Sequence, residues 1–146
     1  ERVDVNAIVH THSQFATTLA CRREGIPAFH YMVAVAGGKD IRCADYATFG
    51  SEALSVFVLD SLKERHACLL ANHGQIALGK DLFSALKMAG EVESLAKMYW
   101  HSCQGGSPAI LEDTEMSLVL EKFKTYGSSR HQDEELKFGG TNKLPA

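Results

Sequence analysis

The chain has no apolar run approaching the roughly 20 residues that a membrane-spanning helix needs, which excludes a helical membrane anchor within these residues. It has no basic excess: 15 Lys and Arg stand against 18 Asp and Glu, for a net charge of -3. The electrostatic footprint of a nucleic-acid or anionic-membrane binder is therefore absent. Cysteine is sparse and scattered, at Cys21, Cys43, Cys68 and Cys103, with no Cys-x-x-Cys. That pattern excludes a zinc-cysteine motif and a disulfide framework, and predicts reduced thiols in a cytoplasmic protein. No internal repeat and no signal-peptide pattern is present. The chain opens on Glu1 rather than methionine and enters an apolar strand within a few residues, which reads as a start partway through a domain. What remains is ordinary globular composition, 45% hydrophobic and 23% charged over 146 residues, enough for one domain with a core.

Local patterns alternate between strands and helices. Ala7-Ile8-Val9 is a β-rich run. Ser13 is placed to cap a helix over residues 14–24, carried by Phe15, Thr18, Leu19 and Arg22 and closed by Gly25. Phe29 to Val35 is apolar, Gly37-Gly38 is a turn, Ile41-Arg42-Cys43 is a candidate strand, and a loop runs from Asp45 to Gly50. Ser51 caps a helix with Leu54, Val58, Leu59 and Leu62. Ala67 to Ala71 and Gln75 to Gly79 read as strands on either side of the turn Asn72-His73-Gly74. Asp81 caps the longest helix, about residues 82–103, whose Leu82, Leu86, Ala89, Val92, Glu93 and Ala96 pattern is amphipathic. Asp113 or Thr114 begins a last helix with Met116, Val119, Leu120 and Phe123 on one face. This alternation predicts a mixed α/β domain, with a flexible polar tail over residues 128–146.

The chemically informative residues are histidines. His10-Thr11-His12 ends the first apolar run, and alternate residues of an extended segment share a face. His73 stands in the turn between two later strands. Three neutral imidazoles with open positions left over are a catalytic-type zinc set. Spacing alone does not bring His73 to the other two; a pair of strand-end histidines bonded to backbone or water is the competing reading. His30 reads as a hydrogen-bonded structural residue, and His66, His101 and His131 as surface residues. Glu91 and Glu93, two apart on a helix, point different ways and do not make a paired-carboxylate site.

Five segments taken together carry a resemblance: Asn6-Ala7-Ile8-Val9-His10-Thr11-His12-Ser13, Ile26-Pro27-Ala28-Phe29-His30-Tyr31-Met32, Tyr46-Ala47-Thr48-Phe49-Gly50, Leu70-Ala71-Asn72-His73-Gly74 and Leu120-Glu121-Lys122-Phe123-Lys124-Thr125-Tyr126-Gly127. On them the chain resembles the class II aldolase/adducin family, over residues 1–127 and in the family's order. The Tyr31 segment and the last segment favour its fuculose-phosphate branch over its epimerases. The resemblance implies a central, mainly antiparallel sheet flanked by helices, and a homotetramer with active sites between subunits. It implies that His10, His12 and His73 ligate Zn2+, that Tyr31 and Tyr126 are catalytic and reach a neighbouring subunit's site, and that Phe49 and Phe123 line the aldehyde end of the substrate. It further implies that the general-base glutamate and the phosphate-gripping loops belong to the first third of the family domain, which nothing in these residues matches.

The implied reaction is cleavage of a ketose 1-phosphate, of the L-fuculose 1-phosphate kind, to dihydroxyacetone phosphate and an aldehyde through a metal-stabilised enediolate. Related reactions of the same fold, such as pentulose-5-phosphate 4-epimerisation, dehydration or decarboxylation, use the same histidines. A non-catalytic, adducin-like assembly role is the alternative from a different class, and retention of all three histidines opposes it.

Overall fold

The computed structural model describes residues 2–126, the side chains of residues 125 and 126 excepted. The expected tail over 128–146, and His131 within it, lie outside the described residues. Four strands, β1 (Ala7–Thr11), β2 (Cys43–Ala44), β3 (Ala67–Leu70) and β4 (Gly74–Gly79), make one sheet in the order β1-β4-β3-β2. The β1–β4 and β4–β3 pairings are antiparallel and the β3–β2 pairing is parallel. The sheet is therefore mainly antiparallel and the class mixed α/β, as the resemblance implies. The β3–β4 turn is closed by the His73 N–H, which donates to the Leu70 carbonyl at 3.0 Å. Asn72 takes the left-handed conformation there, with φ of 55°, a region that asparagine tolerates better than most residues.

Strand alternation sorts side chains to two faces. Ala67 and Leu69 of β3 and Ala77 of β4 join the main core with α1 (Gln14–Cys21), α3 (Leu82–Ser102) and α4 (Asp113–Tyr126). Cys68, Leu70 and Leu78 point the other way, into a smaller core covered by Phe57 and Val58 of α2 (Glu52–Ser61). Each fully buried leucine, such as Leu69 or Leu95, contributes roughly 1.5–3 kcal/mol of burial free energy. Among the described residues no helix is long and apolar enough to cross a membrane. All four cysteines are free thiols, and burial pushes the Cys68 thiol up to about 12.

Several expectations are borne out in detail. Ser51 Oγ accepts from the Leu54 N–H at 3.2 Å, and Asp81 forms a full capping box with Ser84. Met116 and Val119 are buried on α4, with Leu120 and Phe123 packed against the same core. The apolar stretch after Pro27 winds into a 3-10 helix, Tyr31–Ala36, capped by His30, whose Nδ1 accepts from the Met32 N–H at 3.2 Å. His30 is thus the structural histidine expected. His101 is exposed, and His66 is half-exposed beside Asp4.

Other expectations need correction. α1 ends at Cys21 rather than at residue 24, because Arg23 turns left-handed (φ 57°) and the Arg23 and Asn72 N–H groups both donate to the Ala20 carbonyl. Gly25 is not its cap. A Cβ there would stand 2.7 Å from the Ile41 carbonyl oxygen, where Ile26 and Ile41 form a β-bridge. The expected strand at 41–43 accordingly splits into that bridge and the short β2. Leu82 and Leu86 are exposed, at 68% and 58%. α3 turns Ala85, Ala89, Val92, Leu95 and Ala96 inward instead. Small residues let it lie against β4, where a Cβ on Gly79 would strike the Ala85 backbone. Ser13 sits at the cap position of α1 but makes no cap bond. Its place is taken by Glu93 of α3, whose two carboxylate oxygens accept from the Phe15 and Ala16 N–H groups at 2.8 Å each.

Candidate metal centre

The sheet brings the three histidines together. β1 pairs with β4 so that Thr11 lies opposite Gln75 and His10 opposite Ile76. The end of β1 therefore meets the start of β4, where the β3–β4 turn delivers His73. His10 points to the α2 face of the sheet and Thr11 to the opposite face, where its Oγ1 is buried. His12 follows just beyond the strand. Ring centroids are 4.9 Å apart for His10 and His12, 4.8 Å for His10 and His73, and 5.0 Å for His12 and His73. One nitrogen from each lies within 4.8 Å of the others.

The hydrogen-bond pattern specifies which atoms face inward. His10 Nδ1 lies 2.8 Å from the Gln75 carbonyl oxygen. A carbonyl can only accept, so Nδ1 carries the proton and Nε2 of the neutral ring is left as a lone pair. That Nε2 lies 3.1 Å from His12 Nε2. Two nitrogens bound about 2.0–2.1 Å from one tetrahedral ion would be about 3.3 Å apart. The His73 imidazole is held below its ordinary pKa by partial burial and by the neighbouring His10 and His12, which favours its neutral, ligating form. The donor set therefore fits a divalent ion such as zinc in number, charge and spacing.

Two neighbours of the cluster were not visible as functional residues in the sequence. A Cβ on Gly74 would strike the Thr11 carbonyl and stand 2.8 Å from His12 Cδ2, so the absence of a side chain is what lets the β1 end close over the turn. Gln75, fully buried, gives the carbonyl that orients His10. The signal available for both was a His-Gly-Gln sequence opening a buried strand. An open cavity of about 350 Å³ adjoins the cluster, lined by His10 and His73 together with Leu54, Val58, Leu70 and Ile76.

The remaining candidate residues are more scattered. Tyr31 begins the 3-10 helix and is 51% exposed, its ring stacked on His30 at 4.9 Å. Phe49 stands in the loop before α2 and is 82% exposed. Phe123 is partly buried against the main core. Tyr126 ends α4, and its side chain lies outside the described residues.

Comparison with known proteins gives a consistent picture. Residues 1–100 match the family model for the class II aldolase and adducin N-terminal domain. The chain is 57% identical over 129 residues to a 5-methylthioribulose-1-phosphate/5-deoxyribulose-1-phosphate aldolase of Rhodospirillum rubrum, covering 88% of this chain and 58% of that protein. It is 49% identical over 127 residues to an L-fuculose phosphate aldolase of Escherichia coli K12, covering 86% and 59%. A solved L-fuculose 1-phosphate aldolase superposes with a TM-score of 0.80 at 49% identity, over 84% of this chain and 57% of that one. The chain thus spans a little under three fifths of the length of each.

Proposed function

Because the chain belongs to the class II aldolase and adducin family, we propose that it is the metal-binding portion of a zinc-dependent sugar-phosphate aldolase. The observation that carries this reading is the convergence of His10, His12 and His73, with the free nitrogen of His10 turned toward His12. The substrate is a ketose 1-phosphate, cleaved to dihydroxyacetone phosphate and an aldehyde. The named relatives act on L-fuculose phosphate and on 5-methylthio- and 5-deoxyribulose 1-phosphates. These differ at the end released as aldehyde, so the histidines serve all of them and the choice falls to residues away from the metal.

His10, His12 and His73 hold the ion. Bound there, zinc supplies a Lewis acid for the negative charge left on the substrate oxygens when the carbon–carbon bond breaks. Three neutral ligands leave its full positive charge available for that. The Gln75 carbonyl keeps His10 in the ligating tautomer, and His73 resists protonation. We assign Tyr31 and Tyr126, reaching into a neighbouring subunit's site of a homotetramer, to proton transfer at the aldehyde oxygen, their phenolic hydroxyls relaying the substrate hydroxyl's proton away in cleavage and returning it in the reverse addition. The exposure of Tyr31 suits that role. Phe49, exposed, and Phe123, partly buried, line the aldehyde end. The general base and the phosphate-binding loops are assigned to family-domain residues that this chain does not match. The domain is residues 1–127, and the protein works in the cytoplasm. An adducin-like role in assembly alone gives no reason for three converging neutral imidazoles.

The test is divalent-metal content of the purified protein, with His10→Ala and His73→Ala alongside. Wild type is expected to hold about one ion per chain and each variant to lose it. A metal-replete wild type that holds none overturns the reading. Retro-aldol assays with L-fuculose 1-phosphate and the two ribulose analogues, run on the protein extended by the remainder of the family domain, then identify the substrate.

A further inference from the structure

Behind the ligands lies a corner formed by Ser13, Gln75, Ala89 and Glu93, which meets the His10 ring through the Gln75 carbonyl. His12 lies outside β1, in the two-residue link to α1, so its place depends on how α1 begins. Ordinarily a serine at the position of Ser13 would cap that helix with its own hydroxyl. Here Ser13 Oγ instead accepts from Gln75 Nε2 at 2.8 Å, and Gln75 Nε2 also donates to the Ala89 carbonyl of α3 at 3.1 Å. The Ala89 carbonyl can only accept, which fixes the orientation of the amide. The first N–H groups of α1 are held by Glu93, one turn further along α3. The hydroxyl of the residue after His12 is thereby tied to β4 and α3, while its carbonyl accepts from the Thr17 N–H of α1 at 2.9 Å.

Gln75 serves two of the ligands at once. Its carbonyl sets the tautomer of His10, and its side chain holds the residue after His12. It follows Gly74, whose bare Cα admits the Thr11 carbonyl and the His12 ring. Gln75 is 0% exposed, and its Oε1 has no protein donor. Burying an amide with one end unpaired costs about 1–3 kcal/mol, a cost that a methionine of similar shape would avoid. The two hydrogen bonds that Nε2 donates return about 0.5–1.5 kcal/mol each, so the net stability gained by glutamine over methionine is close to zero.

Resting on the metal reading above, we propose that Gln75 and Glu93 are positioning residues for the three-histidine centre. They act through Ser13 and the first turn of α1 to hold His12 against His10 and His73. Partners of this kind change metal affinity by about 10–100-fold when removed.

The experiment uses the full chain and cobalt(II), whose visible absorption reports coordination geometry, with affinity measured by chelator competition and melting temperature measured metal-free. Gln75→Met, Glu93→Gln and Ser13→Ala are each expected to weaken cobalt binding by about 10–100-fold and to alter the absorption band. Gln75→Met is expected to do so without lowering the melting temperature. Ser13→Thr, which keeps the hydroxyl, retains wild-type affinity, and so does Ile41→Val, which loosens the core away from the corner. Wild-type affinity and spectrum in Gln75→Met and Glu93→Gln overturn the proposal, as does an equal loss in Ile41→Val. A wild type that takes up no cobalt overturns the metal reading itself, and this proposal with it.

Discussion

Adding one methyl group at two different glycines should move stability in opposite directions. At Gly74 the new Cβ would fall on the Thr11 carbonyl and 2.8 Å from His12 Cδ2, where ordinary contact begins at 3.4 Å. The His12 ring must retreat by more than half an ångström and the β1 end must lift, although Thr11 and Gln75 are paired across the strands. Overpacking of this kind costs about 1–3 kcal/mol. Because φ at Gly74 is not positive, the cost is steric rather than conformational. At Gly90, inside α3, a Cβ meets nothing within 4 Å, and replacing glycine by alanine in a helix interior gains about 0.8–1 kcal/mol. Urea denaturation of the metal-free proteins should therefore show Gly74→Ala destabilised and Gly90→Ala stabilised. The metal adds a second, independent readout. A shift of His12 on that scale is large beside a bond of about 2.0–2.1 Å, so Gly74→Ala should lose metal affinity while Gly90→Ala keeps it. A Gly74→Ala protein as stable as wild type, with unchanged affinity, refutes the close packing of the β1 end on the turn.

Three further outcomes follow from other parts of the fold. Arg65 is buried, and its Nε and Nη2 reach Asp40 Oδ1 at 2.8 and 2.7 Å; Asp40→Asn should cost about 1.5–3 kcal/mol by denaturation, toward the lower end because Asp40 is 38% exposed and its backbone carbonyl still accepts. Asp81→Ala removes one half of the capping box of α3 and should lower stability, read as a lower urea midpoint. His73 is held below the ordinary value of 6.5 by burial and by His10 and His12. The unfolded chain takes up a proton that native His73 still refuses, so metal-free stability should fall as the pH drops from 6.5 through the lower native value. His73→Gln should flatten that part of a melting-temperature profile, and parallel profiles for the two proteins would contradict the assignment.

Where an element's own residues decide its structure, the sequence was readable. Asp81 announces α3, Ser51 announces α2, and the Met116, Val119, Leu120 and Phe123 spacing marks the buried face of α4. His10 and His12 could be paired because strand alternation is local. Their meeting with His73 could not be read from spacing, since it depends on β4 lying between β1 and β3; it was legible only through the family resemblance. The misreadings share one cause, which is that a distant partner competed successfully for a local group. Leu82 and Leu86 looked like the core stripe of α3, but close approach to β4 selected the smaller Ala85 and Ala89. Gly25 looked like a helix end, but its lack of a side chain serves the Ile41 carbonyl. Ser13 looked like a cap, yet the buried Gln75 amide claims its hydroxyl and Glu93 claims the helix start. A charged carboxylate binding two backbone N–H groups is a stronger cap than a neutral hydroxyl binding one. Once α3 places Glu93 there, Ser13 is released for Gln75. The same exchange that hid the corner from the sequence ties His12 to α3 and β4.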